Sequence, residues 1–429
     1  MNLPRQAIRD GIYANCLDGS KFKVHAITIG IDVPLDIKSV TYANLLSRVL
    51  KRGCSKYPDM KEIEKKLDDL FGADISFAVS RSGESEFFFV FTDFLSDNYT
   101  EGLDIISEIV DLTKELLFFP KTENNAFDEN YVEVEKKNLA DDIDAQINNK
   151  AKYARNRLVG ELCKNEPYSL PITGDKDILE KVTAGELLSF FRELLLHSRI
   201  EILYTGEPSQ FQKVCDCLKN AFSTLSREYT PVSHSMTITP KTGSVREVFE
   251  EMEVNQGKLS MGFVTNITNT SDDIGALVVA NEIFGGSPNS KLFMNVREKM
   301  SLCYYCSSSV DAVKGIMLVN AGIESENYET TKNAINEQLD DLKAGKFTDE
   351  EFDNAISSLT NGYKSVTDSV SSLEAWYLPR IFRGEDTTPE SRIMQIKAVK
   401  REDVILAANK ISPEVVYFLK PQDNKEVER

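Results

Sequence analysis

The sequence predicts an α+β protein made of two homologous tandem domains. The first observation is repetition, because both halves of the chain show a similar order of strand, helix, hairpin and closing strand. The second observation is spacing, since Val182 and Ile200 have counterparts at Val399 and Val416, a similar distance further along. The third is length, because 429 residues exceed what one hydrophobic core usually supports. Each domain is expected to be a mainly antiparallel sheet packed against helices.

The boundary between the domains is predicted from composition. Residues 1–228 form the first domain, residues 229–250 a linker and residues 251–429 the second domain. The linker is placed there because Pro231, Pro240 and Gly243 interrupt regular structure and are typical of connecting segments.

Apolar periodicity predicts the elements of the first half in order. Strands are expected over 22–33, 75–79, 87–92 and 199–204, and helices over 42–50, 60–71, 100–117, 127–162 and 183–196. Asp59 is expected to cap the second helix. The turn at 82–84 joins the two middle strands into a hairpin.

The second half repeats this order. Strands are expected over 259–264, 304–310, 317–323 and 415–419, and a helix over 272–284. A further helix begins at a capping box formed by Thr348 and Glu351. The segment 399–405 resembles the start of the helix at 183–196.

Composition narrows the class of partner and the compartment. With 68 acidic and 50 basic residues the formal net charge is −18, which argues against nucleic acid or an anionic membrane as the main partner. The N-terminus has no apolar signal region and no stretch is long and apolar enough to cross a membrane, so a cytoplasmic protein is expected. Seven cysteines fit reduced thiols. The pairs Cys215-x-Cys217 and Cys303-x-x-Cys306 lack the second pair that a zinc ribbon needs.

The segment 284–305 has the most specific chemistry in the chain. Gly285 and Gly286 break an apolar run, a short helix is predicted next, and an aromatic strand follows. Arg297 then lies at the helix end and Tyr304 at the strand start, where both side chains could face one ligand. A guanidinium and a phenol are suitable hydrogen-bond donors to a developing oxyanion. The alternative is structural: Arg297 caps the helix C-terminus and Tyr304 packs in the strand.

This segment resembles a family signature. Gly-Gly-x-x-x-Ser-x-Leu-Phe followed by Arg-Glu-Lys-x-x-Leu-x-Tyr is similar to the C-terminal-half signature of the M16 metallopeptidases, which include insulinase, pitrilysin and the mitochondrial processing peptidase. The resemblance implies two domains of the LuxS/MPP-like metallohydrolase type. It also implies that Arg297 and Tyr304 are catalytic through hydrogen bonds to substrate carbonyl groups, with Gly285, Gly286 and Ser290 as substrate-binding residues.

The zinc motif of that family is degenerate in this chain. M16 peptidases hold zinc through His-x-x-Glu-His on an early helix, with the Glu as general base. Alignment on the following Gly53 places Asn44-Leu-Leu-Ser-Arg48 at the motif, so both histidines are missing and Ser47 replaces the base. The third ligand falls near Asp141 and Asp142, for which a solvated helix face is the alternative interpretation.

No other histidine pair replaces the missing one. The chain has only His25, His197 and His234, and none is four residues from another. We therefore expect no metal or other cofactor in this chain. The resemblance implies a heterodimer in which a partner subunit carries zinc, and this chain supplies Arg297 and Tyr304 in trans to a peptide substrate.

Several alternatives stay open. The chain could be a structural or peptide-binding protein without catalytic contribution, or a hydrolase with another metal site built from Asp141, Asp142 and a cysteine. An exposed strand edge could bind the peptide, and the isolated chain could form a homodimer. The segments 256–263 and 373–377 resemble a Gram-positive M16 subfamily associated with aminopentanol modification of elongation factor P.

Overall fold

The computed structural model describes residues 3–231, 236–237 and 243–422. They divide into two compact units. The first unit comprises Met1–Asp144, Pro171–Ser235 and Ser365–Thr388, and the second comprises Ala145–Leu170, Met236–Lys364 and Pro389–Arg429. The boundaries predicted above follow the order of the chain, whereas each compact unit also includes one segment from the other half of the sequence.

Thirteen strands are assigned in the described residues. They are β1 (Arg5–Arg9), β2 (Ile12–Asp18), β3 (Val24–Val33), β4 (Asp74–Ser82), β5 (Ser85–Leu95), β6 (Thr122–Glu123), β7 (Ala126–Phe127), β8 (Ile200–Gly206), β9 (Arg246–Met252), β10 (Gly257–Val264), β11 (Cys303–Asp311), β12 (Ile316–Ile323) and β13 (Ser412–Pro421).

The described residues also form fourteen α-helices. They are α1 (Ile37–Val49), α2 (Met60–Asp69), α3 (Ile105–Phe118), α4 (Glu129–Ala145), α5 (Lys150–Leu162), α6 (Lys176–Lys181), α7 (Ala184–His197), α8 (Phe211–Ala221), α9 (Ile274–Asn281), α10 (Tyr328–Lys343), α11 (Asp349–Ser365), α12 (Val370–Arg383), α13 (Pro389–Ala398) and α14 (Arg401–Asn409). Two π-helical segments, Glu282–Gly286 and Leu292–Lys299, follow α9.

The two main sheets have matching topology. The first has the order β1-β2-β8-β3-β5-β4 and the second has the order β9-β13-β10-β12-β11 when read in the same direction. The pairing of β2 with β8 is parallel, as is that of β9 with β13, and the other pairs are antiparallel. Strand β1 is the one addition in the first sheet. The predicted α+β class and the duplication are therefore confirmed.

In each unit, helices cover both faces of the sheet. One face packs on helices of the same half, and these contacts form the large apolar cores. On the other face of the first sheet, Leu373 and Phe382 of α12 pack with Phe87 and Phe89 of β5. In the second unit the corresponding contacts come from α5, whose apolar residues pack with β12 and β13. The helix that completes each unit thus comes from the other half of the chain.

The predicted long helix over 127–162 is two helices. α4 ends at Ala145, a short 3₁₀ turn spans Gln146–Asn148, and α5 begins at Lys150. Asn149 caps α5, because its side-chain oxygen accepts a hydrogen bond of 3.0 Å from the backbone N–H of Lys152. Asparagine competes with the helix for backbone hydrogen bonds, so the Asn148-Asn149 pair ends one helix and begins the next.

The predicted helix caps are confirmed, whereas three strands, of which β1 and β9 lie at sheet edges and β2 lies between β1 and β8, were not predicted. Asp59 caps α2, and Thr348 and Glu351 exchange the two hydrogen bonds of a capping box. Strands β1 and β2 were not predicted. Strand β9 was not predicted either, and it begins at Arg246, within the expected linker 229–250. Pro240, also in that linker, lies outside the described residues.

Candidate functional site

The structure places the Arg297 side chain beside the backbone of Tyr304. The π-helical segment Leu292–Lys299 is anchored by its buried Leu292 and Val296, and it ends shortly before β11. The Nε of Arg297 donates a hydrogen bond of 3.0 Å to the backbone carbonyl of Tyr304. This bond connects the helix end to the first residues of the strand. The short helix and the strand are present in the predicted order, whereas Gly285 and Gly286 lie at the end of the π-helical segment Glu282–Gly286 and the turn is formed by the residues after them.

The Arg297 guanidinium lies on the surface beside an aromatic ring. Its central carbon is 4.3 Å from the centroid of the Phe293 ring, and one Nη is 3.2 Å from a carboxylate oxygen of Glu298. The side chain is 36% exposed. Because its Nε hydrogen bond goes to Tyr304 rather than to a helix carbonyl, Arg297 connects helix and strand instead of acting only as a C-terminal cap.

Tyr304 projects into solvent. The side chain is 56% exposed, so it does not pack in the interior of the sheet. Its hydroxyl donates a hydrogen bond of 2.6 Å to a carboxylate oxygen of Glu324, which follows the end of β12. This hydrogen bond, together with the negative charge of Glu324, raises the pKa of the Tyr304 phenol. The phenol is therefore a neutral hydrogen-bond donor at physiological pH.

The predicted substrate-binding glycines have packing roles of their own. A Cβ atom on Gly285 would lie 2.6 Å from both Leu292 Cδ1 and Ser308 Oγ, so only glycine allows this contact between the helix and β11. A Cβ on Gly286, which is exposed, would lie 2.6 Å from a carboxylate oxygen of Glu282.

Ser290 lies at the start of the short helix, and its side chain is buried. Its hydroxyl is 3.5 Å from the backbone nitrogen of Phe293, the position of a capping contact. These packing and capping contacts account for Gly285 and Ser290 within the chain. Substrate binding by them stays a prediction.

In the first unit, α1 carries the positions of the degenerate zinc motif. Asn44 donates hydrogen bonds of 2.9 Å to the carbonyl of Val40 and of 3.0 Å to that of Ile172. The hydroxyl of Ser47 donates a hydrogen bond of 2.8 Å to the carbonyl of Asn44. Both side chains are thus engaged with the backbone.

Arg48 and Asp142 form an ion pair across the same region. An Nη of Arg48 on α1 lies 2.5 Å from a carboxylate oxygen of Asp142 on α4, while the neighbouring Asp141 is exposed. One turn further along, Arg52 binds Glu135 of the same helix, with Nε 2.5 Å from the carboxylate. Arg48 of α1 and Arg52 of the 3₁₀ turn Leu50–Arg52 that follows α1 therefore each pair with a carboxylate of α4.

These residues do not fit a zinc site. An amide, a hydroxyl and a guanidinium replace two imidazoles and a carboxylate, and a guanidinium cannot give up its charge to bind a cation. Within residues 3–231, 236–237 and 243–422, no group of three or more His, Cys, Asp or Glu side chains is arranged to hold a metal ion.

Comparison with known proteins decides the family. Residues 181–359 match the family model described as the Peptidase M16 inactive domain. Over 414 residues the chain is 31% identical to the probable inactive metalloprotease YmfF of Bacillus subtilis, with 96% of each chain covered. The chain belongs to the M16 peptidase family. The M16 relatives also include the uncharacterized zinc protease YmxG of Bacillus subtilis, which is 21% identical over 401 residues and 89% covered on both sides.

Solved structures share the M16 fold over the whole chain. A conserved protein from Enterococcus faecalis V583 superposes with a TM-score of 0.91 at 26% identity, covering 99% of this chain and 100% of that one. A protease from Helicobacter pylori superposes with a TM-score of 0.81 at 15% identity, covering 98% and 99%. Among the described residues of this M16 chain, no helix is both long and apolar enough to span a bilayer.

Neither of the two described histidines of this M16 chain contributes to these regions, whereas Cys303 directly precedes Tyr304 in β11. His25 is buried between the rings of Phe94 and Tyr204, and burial lowers its pKa. His197 lies at the end of α7 beside Glu193, and His234 lies outside the described residues. All seven cysteines are described and are free thiols.

Two contacts in these two regions were not predicted from the sequence. Glu324 is twenty positions from Tyr304 and reaches it only because β11 and β12 are paired. The pairing of Arg48 with Asp142 was also missed, although both positions had been singled out. The opposite charges of Arg48 and Asp142, at positions aligned with two zinc ligands of the family, could have indicated this ion pair.

Proposed function

We propose that this chain is the zinc-less subunit of a heteromeric M16 metallopeptidase. In this proposal a partner subunit with an intact His-x-x-Glu-His motif holds zinc, and this chain contributes Arg297 and Tyr304. One observation carries the proposal: the Arg297 side chain donates a 3.0 Å hydrogen bond to the backbone carbonyl of Tyr304, and the Arg297 guanidinium and the Tyr304 phenol both reach solvent. The ion pair of Arg48 and Asp142 at the chain's own zinc position supports it.

The chemical role follows from the donors. When a scissile carbonyl is attacked, negative charge develops on its oxygen, and donors already in place stabilise that charge. The Nε of Arg297 donates to the Tyr304 carbonyl, so the Nη groups, one of which lies 3.2 Å from Glu298, are the donors that would face a ligand. The phenol of Tyr304 adds one directional donor. Removing one such donor typically lowers the rate on the order of a hundred- to thousandfold.

The test uses the isolated chain and its mixture with a zinc-bearing M16 chain of similar length from the same genome. Zinc content and cleavage of an unstructured peptide are measured for each component and for the mixture. We expect zinc in the partner and cleavage in the mixture. Stoichiometric zinc together with cleavage by the isolated chain would contradict the proposal and favour a self-sufficient hydrolase. Size-exclusion chromatography of the same samples shows whether the isolated chain is a homodimer.

Variants then assign the roles. Arg297→Ala and Tyr304→Phe should each abolish most of the activity of the mixture without reducing zinc in the partner. Tyr99→Phe and Arg155→Ala are matched controls, because both residues are exposed and lie outside the Arg297/Tyr304 site. If all four variants leave the mixture equally active, the chain makes no catalytic contribution.

A second candidate function is peptide binding without catalysis, and the edge strand β4 favours it. This strand lies at the end of the first sheet and pairs with β5 over nine residues in unbroken register. It has no proline, whereas β1 and β11 are interrupted by register shifts and β9 is rich in charged residues. A long regular edge without such protection can accept an added strand.

This candidate is tested with a labelled extended peptide in fluorescence anisotropy. Methylation of alternate backbone nitrogens of the peptide should remove binding, because strand addition depends on main-chain hydrogen bonds. Equal binding of the methylated peptide would contradict strand addition. Both functions can hold together, since peptide binding at β4 needs neither Arg297 nor Tyr304.

A further inference from the structure

Three strand ends meet beside Tyr304 in the second unit. Tyr304 is at the start of β11, Glu324 follows the end of β12, and Gln256 precedes the start of β10. The register explains why they are neighbours: Ile323 of β12 is paired with Cys303 on one side and with Gly257 on the other. Gln256 begins one of the segments by which the sequence resembles a particular M16 subfamily.

The hydroxyl of Tyr304 has two neighbouring polar side chains, Glu324 and Gln256. It donates its proton to Glu324 at 2.6 Å. The side chain of Gln256 is a second polar neighbour of the phenol, and it acts in the opposite sense to Glu324 by lowering the pKa of Tyr304. A phenol has one proton to donate, so the proton held by Glu324 is the same one that a substrate carbonyl would need.

Lys258 fixes the orientation of the Gln256 amide. Its Nζ donates a hydrogen bond of 3.4 Å to the Gln256 side-chain oxygen, which leaves the amide nitrogen to face the phenol. The same ammonium lies 5.8 Å from the centroid of the Tyr305 ring and interacts electrostatically with Glu324. Glu324 therefore has a cation nearby in addition to the phenol.

We propose that Glu324 and Gln256 are positioning residues that aim the Tyr304 hydroxyl, and that a substrate carbonyl accepts this hydroxyl in place of Glu324. The inference deepens the proposed function and rests on it for its catalytic consequence. Arg297 fixes the backbone of Tyr304, while Glu324 and Gln256 fix the phenol. The donor is then preorganised before substrate binds.

The network itself is tested on the isolated chain. Tyrosine is labelled with ¹³C at Cζ, and the Tyr304 resonance is identified by its loss in Tyr304→Phe. Glu324→Gln should lower the pKa of Tyr304, because it removes a negative charge beside the phenolate. Gln256→Ala should raise it, because it removes a donor that stabilises the phenolate. Opposite shifts in the two variants are the signature of the proposed arrangement.

Controls keep this result interpretable. Glu326→Gln removes an exposed carboxylate two residues from Glu324 and should leave the Tyr304 resonance and titration unchanged. Circular dichroism checks that each variant stays folded over the pH range. At pH 7.5 the phenol is neutral in every variant, so the Cζ shift there reports the hydrogen bonds directly. An unchanged Tyr304 resonance in Glu324→Gln and Gln256→Ala overturns the proposal.

The catalytic consequence is measured with the zinc-bearing partner. Glu324→Ala should lower kcat/KM roughly ten- to hundredfold, because the phenol loses its orientation. Glu324→Gln keeps an acceptor oxygen and should retain most of the activity. If the titration shows the predicted shifts of Tyr304 but the mixture of this chain with its partner has no activity, the proposed function is wrong. The arrangement of Glu324 and Gln256 around the phenol is then still supported. If the mixture is active and Glu324→Ala is as active as wild type, the positioning role is wrong.

Discussion

Arg48 stands at the position where, by resemblance, an M16 peptidase carries its second zinc-binding histidine. Its partner Asp142 lies near the position of the third ligand, so the two residues satisfy each other's charge. Their side chains are 31% and 59% exposed, and such surface pairs contribute only about 0–1 kcal/mol to stability. The main effect of Arg48 is therefore on metal binding rather than on stability, because a guanidinium at this position repels a divalent cation such as zinc.

This interpretation predicts that zinc binding can be rebuilt. The substitutions Asn44→His, Arg48→His and Asp142→Glu restore the three ligands that the family resemblance implies on α1 and α4, and Ser47→Glu restores the general base. Because positions four apart share one face of a helix, the two imidazoles should bind one ion together with the glutamate. We expect about one zinc per chain by elemental analysis after dialysis. Arg48→Ala alone is the control and should bind none, and failure of the rebuilt variant would show that the two helices are misplaced for a metal.

At the scale of elements, Glu374 of α12 is the least expected residue. It lies within the first unit, 5% exposed, and accepts a hydrogen bond of 2.9 Å from the hydroxyl of Thr28 on β3. Burial raises the pKa of its carboxyl group to about 8. The neutral acid is therefore the form that fits between helix and sheet, since a buried charge would lack solvation.

The sign of the pH dependence follows. A raised pKa in the folded state means that the folded chain binds the proton more tightly, so stability is fully present below the usual glutamate pKa. It is lost as pH rises through about 8. For Glu374 the loss by neutral pH is on the order of 3 kcal/mol. Urea unfolding between pH 5 and 9 should show wild type losing stability relative to Glu374→Gln, and parallel curves for the two proteins would contradict this.

Gly285 gives a second prediction at this scale. Gly285→Ala should destabilise the second unit by about 1–3 kcal/mol, because the new methyl group would overlap Leu292 and Ser308. Gly362→Ala in α11 is the matched control. A Cβ there meets nothing within 4 Å, so the substitution should stabilise the helix by roughly 0.5–1 kcal/mol. Urea unfolding distinguishes the two, and a neutral Gly285→Ala would show that packing does not require the glycine.

The sequence predicts many of the helices and strands, but it does not predict all of the contacts by which they pack or pair with one another. The sequence predicts a helix over the residues of α5, as part of one long helix over 127–162, and makes no prediction for α12. Periodicity does not state which sheet an apolar helix face will cover, so the packing of each of these helices on the sheet of the other half was not predicted. Charged edge strands were also missed, because β9 reads Arg-Glu-Val-Phe-Glu-Glu-Met and alternates without a strongly apolar face. In the site, Arg297 and Tyr304 were found because they are close in sequence, whereas Glu324 depends on the register of β11 and β12.

On the scale of the whole molecule, the two units differ in chemistry despite their common topology. The first has an ion pair where the family holds zinc, and the second keeps an exposed arginine and tyrosine in one network. This asymmetry is what a subunit that assists another chain would show, since its own metal site is dispensable and its donors are not. The most direct measurement is the peptide-cleavage rate of the zinc-bearing partner as this chain is added.

The account predicts that wild-type chain raises that rate to a plateau at equal amounts of the two chains. Chain carrying both Arg297→Ala and Tyr304→Phe should bind the partner as tightly as wild-type chain does, which co-elution checks. The cleavage rate of that mixture should be at least about a hundredfold lower than the rate with wild-type chain. A partner that cleaves at full rate alone, or equally fast with the double variant, would contradict the central claim.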